Sequence, residues 1–222
     1  MPQWPGRSGR AARGSLWRGA LACVFLWCFA DTAFLQGAET PMEAVRETIT
    51  QVLRILDDPS LKNPAKQAQR RHMLEEIAAG RFDYAEMSKR VLGSYWKPLT
   101  ETQRKEFVEV YKGFLSDRYA GKIEDYSGQK QEVGYLTERI EGSYAEVRTE
   151  LRSDKTTLPM DYRLLMKDGR WSAYDIIIDG VSLVSNYRSQ FQKIIRESSY
   201  EELLKKLRER TVTEETKKKK AS

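Results

Sequence analysis

The spacing of apolar residues changes near Tyr126, and this change constrains the fold more than any other feature of the sequence. Before Tyr126, apolar residues recur every three to four positions, which is the period of an amphipathic helix. Beyond Tyr126 they alternate with polar residues, which is the period of a half-buried strand. The helical period returns after about residue 182. Helices followed by strands and again by helices predict a single α+β domain.

Capping residues locate the predicted helices. Thr40 and Glu43 form a capping box with Pro41 at the first helical position, so a helix begins there. Asn63-Pro64 begins a second predicted helix, which we expect Gly80 to end. The remaining helices are predicted at 83–92, from 100 to beyond 119, at 182–197 and from 199 to about 207.

Four strands are predicted between these helices, at 129–138, 143–152, 158–167 and 170–178. Gly142-Ser143 and Asp168-Gly169 are turn signals between neighbouring strands. Because the connections are short, successive strands should pair antiparallel. Alternation places Tyr174, Ile176 and Ile178 on one face of the last strand.

The N-terminal segment has the order of a secretory signal peptide. Residues 1–18 carry four Arg and no acidic residue, and an uncharged run from Gly19 to Ala30 follows. The run is shorter than the ~20 residues that span a bilayer, although a short membrane anchor is the alternative. We expect residues 1–38 to be the signal, with cleavage between 30 and 38, residues 39–210 to be the folded domain, and 211–222 to be a disordered basic tail.

Removal of this signal changes what the composition indicates. Both cysteines lie in 1–38, so the predicted mature chain has no disulfide. Because residues 1–38 contain four Arg and one Asp, the remainder carries 34 basic and 31 acidic residues, a net charge of +3. The run Lys217–Lys220 accounts for that excess. The domain is therefore nearly neutral, and we expect it to bind no nucleic acid.

Residues for catalysis are scarce in the predicted mature chain. It has one histidine, His72, and lacks a Walker loop, an HExxH zinc motif and a Rossmann glycine fingerprint. We expect no catalytic residue, no metal and no cofactor. Asp175 lies among apolar residues, where a buried carboxylate is either a general base or a structural acceptor. We favour the structural role and expect Asp175 and Arg188 to tie the last strand to the following helix.

Two longer motifs resemble a known family. The segment from Trp171 to Phe191, with Asp179-Gly180 and Asn186-Tyr187-Arg188 within it, is similar to the signature of the MlaC (toluene-tolerance auxiliary) family. Upstream, Phe82-Asp83-Tyr84 and the run Val91–Trp96 resemble that family's first motif. The similarity covers roughly residues 40–210. A relative associated with hopanoid production has similar motifs, and one sequence does not separate the two.

The resemblance implies a periplasmic carrier that is not an enzyme. It implies a curved antiparallel sheet of about four strands, packed by N- and C-terminal helices into an NTF2-like cup with an apolar pocket for acyl chains. The implied partners are phospholipid, an inner-membrane MCE-domain protein with its ABC transporter, and an outer-membrane lipoprotein–porin complex, in a system that maintains lipid asymmetry.

The lipid-binding candidates are apolar and aromatic residues on faces that a small sheet would share with long helices. They are Phe107, Tyr111, Phe114, Val147, Tyr162, Leu164, Tyr174, Ile176, Val184, Tyr187 and Phe191.

The alternatives to a phospholipid carrier are an NTF2-like envelope enzyme, such as an isomerase or dehydratase, a hopanoid-associated carrier, and a tethering domain with a solid core.

Overall fold

The computed structural model describes residues 39–124, 131–153 and 156–209. The predicted signal peptide at 1–38 and the predicted tail at 211–222 lie outside the described residues. The helices are α1 Pro41–Asp57, α2 Gln67–Arg81, α3 Tyr84–Leu92, α4 Glu101–Glu124, α5 Leu183–Glu197 and α6 Tyr200–Arg208. The strands are β1 Gln131–Glu141, β2 Tyr144–Ser153, β3 Thr157–Lys167, β4 Arg170–Ile178 and β5 Val181–Ser182.

The strands form one antiparallel sheet in the order β1-β2-β3-β4-β5. The predicted α+β class and the four long strands are confirmed. β5 adds two residues that were not predicted, and β1 ends at Glu141, three residues later than expected. Positions 129 and 130 of the first predicted strand lie outside the described residues.

Side-chain caps begin most of the helices where they were predicted, but α2 begins at Gln67, after a 3₁₀ turn Pro64–Lys66 that Asn63 caps. The Thr40 hydroxyl accepts a hydrogen bond from the Glu43 amide at 3.1 Å, and the Thr40 amide donates to the Glu43 carboxylate at 2.8 Å. Asp83, Ser182 and Ser199 cap α3, α5 and α6, each through a side-chain oxygen that accepts a hydrogen bond from the amide three residues later. Local side-chain chemistry therefore fixes where these helices begin.

The prediction that Gly80 ends the second helix is wrong. α2 continues to Arg81, and the Phe82 amide still donates to the Ala78 carbonyl at 2.8 Å. Gly80 does not adopt the left-handed conformation by which glycine ends a helix. Arg81 instead fixes the end of α2, donating to the Thr48 hydroxyl at 2.8 Å and to the Trp171 carbonyl at 2.9 Å.

A β-bulge in β4 changes which residues share a face. Leu164 pairs with Ala173 and Arg163 pairs with Asp175, which leaves Tyr174 as the extra residue. Tyr174 packs instead against Tyr144 on the outer face, with ring centroids 6.0 Å apart. Simple alternation, which grouped Tyr174 with two isoleucines, was therefore wrong. The inner face of the sheet is defined by Ala145, Val147, Tyr162, Leu164, Ile176 and Ile178.

Three groups of buried residues hold the described chain together. The helical core joins α3, α4, α5 and α6 around large aromatic side chains. The sheet core packs Ala44 and Val45 of α1 on the inner face of the sheet. The third group joins the second half of α1 to α2 and comprises Ile55, Leu56, Leu61 and Leu74, with Val52, Met73 and Ile77 packed against them.

Candidate functional site

An apolar cavity of about 420 Å³ lies between α2, α4 and the inner face of β3 and β4. This volume is within the range of ligand sites. Its walls are mostly side chains without polar atoms. They come from Leu74, Ala78, Phe82, Met87, Leu115, Ile123, Met160, Ile176, Ile178 and Leu183.

Helix α4 forms the longest wall of the cavity. The lining positions extend from Glu109 to Ile123, which is about 21 Å along a helix that rises 1.5 Å per residue. Gly113 lies in this wall, and a Cβ built on it would meet no atom within 4 Å. The other side of α4 places Phe107 and Tyr111 in the helical core. One helix therefore separates the packed core from the open space.

Polar residues join α2 to α4 at the rim of the cavity. Arg71 Nε donates to Glu75 Oε1 at 2.8 Å, and its guanidinium also hydrogen-bonds to Asp117 and, at 3.4 Å, to Ser116 Oγ. Ser116 Oγ in turn donates to Glu75. We call Arg71, Glu75, Ser116 and Asp117 the clasp.

The clasp favours the ionised form of the Glu75 carboxylate. Burial opposes the charge of Glu75, but hydrogen bonds from Ser116 and Arg71 outweigh burial and place the Glu75 pKa below its ordinary value. The hydrogen bond to Asp117, followed by that to Glu75, raises the pKa of Arg71. Opposite charges at the rim are thus paired with each other.

Two further charged residues, Glu109 and Lys112, lie in the cavity wall toward the start of α4. The Lys112 ammonium is 6.0 Å from the centre of the Tyr84 ring, a distance at the limit of a cation–π contact. Burial raises the pKa of Tyr84 to about 12, so its phenol is protonated at neutral pH. With the clasp, the wall carries three acidic and two basic side chains.

Of the eleven predicted lipid-binding residues, Ile176 lies in the cavity wall. Six lie in the helical core behind α4, namely Phe107, Tyr111, Phe114, Val184, Tyr187 and Phe191. Three lie in the sheet core beneath α1, namely Val147, Tyr162 and Leu164. Tyr174 lies on the outer face, where it packs against the helical core and the Arg90 guanidinium is 3.9 Å from its ring centre. That all eleven contact lipid remains a prediction.

The lining residues that α2 and the segment after it contribute to the cavity were not predicted from the sequence. Leu74, Ala78 and Phe82 supply one side of the cavity. Leu74 and Ala78 are four residues apart and therefore share a helix face, which was visible in the sequence. The position of that face over the sheet depends on tertiary contacts, which periodicity does not report.

Asp175 of β4 is a buried hydrogen-bond acceptor with a structural role. It is 2% exposed and accepts hydrogen bonds from Ser182 Oγ at 2.6 Å and from the Val184 amide at 3.0 Å. Its charged partner is Arg163 of β3, at 3.3 Å, and not an arginine from a helix. Arg188 lies beside Gly93, and a Cβ placed on Gly93 would be 3.1 Å from the Arg188 guanidinium. Asp175 thus ties β4 to α5 as expected, without Arg188.

Among residues 39–124, 131–153 and 156–209, no group of three or more His, Cys, Asp or Glu side chains is arranged to hold a metal ion. In the same ranges, no helix has the length and apolar character needed to cross a bilayer.

The fold and the cavity define a class of α+β proteins in which helices cover one face of an antiparallel sheet and leave an elongated apolar space beneath them. The sequence model of the MlaC protein family matches residues 46–209, and the chain belongs to that family. The resemblance seen in the sequence motifs is thereby confirmed.

Two known proteins are similar to this chain. The intermembrane phospholipid transport system binding protein MlaC of Haemophilus influenzae is 24% identical over 124 residues, which cover 54% of this chain and 58% of that protein. The matched part of the chain therefore spans less than two thirds of that relative. A phospholipid-binding protein from Ralstonia solanacearum, solved with a bound phospholipid, superposes with a TM-score of 0.67 and 25% identity, covering 76% of this chain and 95% of the other.

Proposed function

We propose that this protein binds the acyl chains of phospholipid in the cavity between α2, α4 and the sheet, and carries the lipid through the periplasm between the two membranes. The observation that carries the proposal is the cavity itself, whose lining is mostly apolar and whose charged residues include the partly exposed Arg71–Asp117 pair at the rim. That arrangement suits an amphiphile with long tails and a polar head. The names of the two relatives support the same ligand class.

The energetics suit a carrier. Burying two chains of about 15 carbons from water is worth ~24 kcal/mol at about 0.8 kcal/mol per CH₂. That value exceeds any known non-covalent affinity, which ends near −21 kcal/mol. Lipid leaves a bilayer and not water, however, and the bilayer interior is as apolar as the cavity. Loading and unloading are then nearly balanced, as shuttling requires.

Glu75 and Tyr84, which line the cavity, are poorly suited to act as a general base, and this favours a carrier over an NTF2-like enzyme. A general base that works near neutral pH needs a carboxylate pKa raised toward 7. Glu75 has a lowered pKa, because Ser116 and Arg71 both donate hydrogen bonds to its Oε1. The Tyr84 pKa of about 12 keeps that phenol from acting as a base.

We further propose the partners and location that the family resemblance implies. These are a periplasmic protein exported by a signal at 1–38, an outer-membrane lipoprotein–porin complex, and an inner-membrane MCE-domain protein with its ABC transporter. The mixed charges that line the cavity, three acidic and two basic, offer no strongly cationic site for a phosphate. We therefore expect phosphatidylethanolamine and phosphatidylglycerol with the same chains to bind within about tenfold of each other.

Uptake of fluorescent phospholipid by delipidated protein tests the proposal. Ala78 lines the cavity, whereas the neighbouring Ala79 is exposed on the same helix. Ala78→Trp should fill the cavity and reduce uptake at least tenfold, while Ala79→Trp, the matched control, should leave it unchanged. Competition with unlabelled phospholipid, hopanoid and diacylglycerol identifies the ligand class. Wild-type protein that takes up no phospholipid, or that loses uptake equally in both variants, would contradict the proposal.

A further inference from the structure

We propose that residues 52–78, the second half of α1 through α2, form a flap over the cavity that the clasp holds shut. The inference rests on the proposed function, because it assigns regulation of lipid access to that same cavity. Opening of the flap would release or admit lipid, and the Arg71–Asp117 pair would set how often it opens.

The flap has a core of its own. Ile55, Leu56, Leu61 and Leu74 pack with one another, and every residue of this cluster comes from positions 52–77. The cluster shares no member with the helical core or the sheet core of the described residues. Such a segment can move as a unit, because movement leaves its internal apolar contacts intact.

The end of the flap is anchored next to β4. The Asp83 amide donates to the Ala173 carbonyl at 2.9 Å, and Phe82 forms a parallel bridge with Ala173. Arg81 bonds to the Trp171 carbonyl at 2.9 Å, and its guanidinium pairs with Glu39 at 3.2 Å. The first half of α1 is held by the sheet core. These contacts leave both ends of the flap fixed and mark where it would pivot.

The clasp lies away from these anchors, on the side of the flap that faces α4. Arg71 and Glu75 are on α2, and Ser116 and Asp117 are on α4, so every bond between the two pairs crosses from flap to core. The Asp117 side chain is 17% exposed and that of Arg71 39% exposed, so water only partly screens their attraction. All four side chains also line the cavity. The bonds that join the two helices therefore lie at the cavity rim.

A charge-swap experiment tests the flap. Arg71→Glu and Asp117→Arg each replace the attraction across the rim with repulsion, and the double variant restores an opposite pair in the reverse order. Loss of one partly exposed pair corresponds to about fivefold in an equilibrium. Each single variant should release fluorescent phospholipid to acceptor vesicles about fivefold faster, and the double variant should return toward the wild-type rate. Glu106→Arg, which breaks a pair between α4 and Arg208 of α6, is the matched control and should change nothing.

Hydrogen–deuterium exchange reports the flap without any lipid. Amides of α2 from 67 to 78 should exchange about fivefold faster in the single variants, while those of α5 should not change. Diacylglycerol separates gating from contact with phosphate, because gating predicts the same acceleration for a lipid without phosphate. Three results would contradict the proposed flap. They are unchanged amide exchange in α2, faster release confined to lipids with phosphate, and failure of the double variant to restore either the release rate or the exchange rate. If neither the wild type nor any variant binds phospholipid, the proposed function is contradicted. The amide exchange of α2 still tests the flap in that case, because it is measured without lipid.

Discussion

Replacement of Asp175 by Asn should destabilise the protein without emptying the cavity. The carboxylate accepts two hydrogen bonds that link β4 to the start of α5, from Ser182 Oγ and the Val184 amide. An asparagine has one acceptor oxygen, so either the Ser182 hydroxyl or the Val184 amide loses its acceptor in a site that is 2% exposed.

The expected cost follows from these contacts. A buried donor left without an acceptor costs about 1–3 kcal/mol. The lost charge of the Arg163 pair adds less than about 1 kcal/mol, because the Arg163 side chain is 42% exposed. We expect a loss of about 2 kcal/mol, or roughly 4–8 °C in melting temperature for a domain of this size.

Thermal and urea unfolding measure this loss, and phospholipid uptake measures function in the same preparations. Asp161→Asn is the matched control on the adjacent strand. Burial raises the pKa of Asp161, and its partner Arg148 is 3.9 Å away, so neutralisation should change stability by less than about 0.5 kcal/mol. Equal melting of Asp175→Asn and wild type, together with abolished uptake, would refute the structural role of Asp175.

Three further predictions concern stability. Gly93→Ala should lower the free energy of unfolding by about 2 kcal/mol, because Gly93 has φ +58° and a Cβ would lie 2.7 Å from a side chain of α5. Gly80→Ala, where a Cβ meets open space, should raise that free energy by about 0.5–1 kcal/mol, and urea unfolding compares the two variants. Tyr111→Phe should leave stability unchanged or raise it by about 1 kcal/mol, because no group of the described residues forms a hydrogen bond with the buried Tyr111 hydroxyl, and a large drop in melting temperature would contradict this. Burial raises the Asp83 pKa, but hydrogen bonds at the start of α3 and from Lys167 outweigh it and hold the pKa below 3.8. The stabilisation from Asp83 is therefore complete above about pH 4 and is lost as pH falls through the lowered pKa, so Asp83→Asn should show a shallower acid denaturation than wild type.

Local signals predicted the elements of this fold well. The capping box at Thr40 and Glu43 and the glycine turns between strands act within a few residues, so sequence alone locates them. Gly80 misled the same reasoning, because contacts of Arg81 with α1 and β4 carry α2 past it. Tertiary contacts of this kind leave no periodic trace in the sequence.

The candidate site was harder to predict than the fold. Apolar faces fill a core or line a cavity with the same periodicity, and the aromatic residues of α4 illustrate this. Phe107 and Tyr111 pack in the closed helical core, while Gly113 and Ile123 of the same helix line the open cavity. The bulge at Tyr174 then moved one predicted lining residue to the outer face. A single extra residue inverts the alternation that a sequence analysis must assume.

Mass spectrometry of lipid that co-purifies with the protein tests the central claim most directly. The protein is expressed with its own N-terminal segment, purified from the periplasmic fraction without detergent, and extracted for lipid alongside Ala78→Trp and Ala79→Trp. We expect phospholipid of mixed head groups in wild type and in Ala79→Trp, and little in Ala78→Trp. Absence of phospholipid from the wild-type protein, or equal amounts in all three, would contradict the claim that the cavity beneath α2 and α4 binds phospholipid.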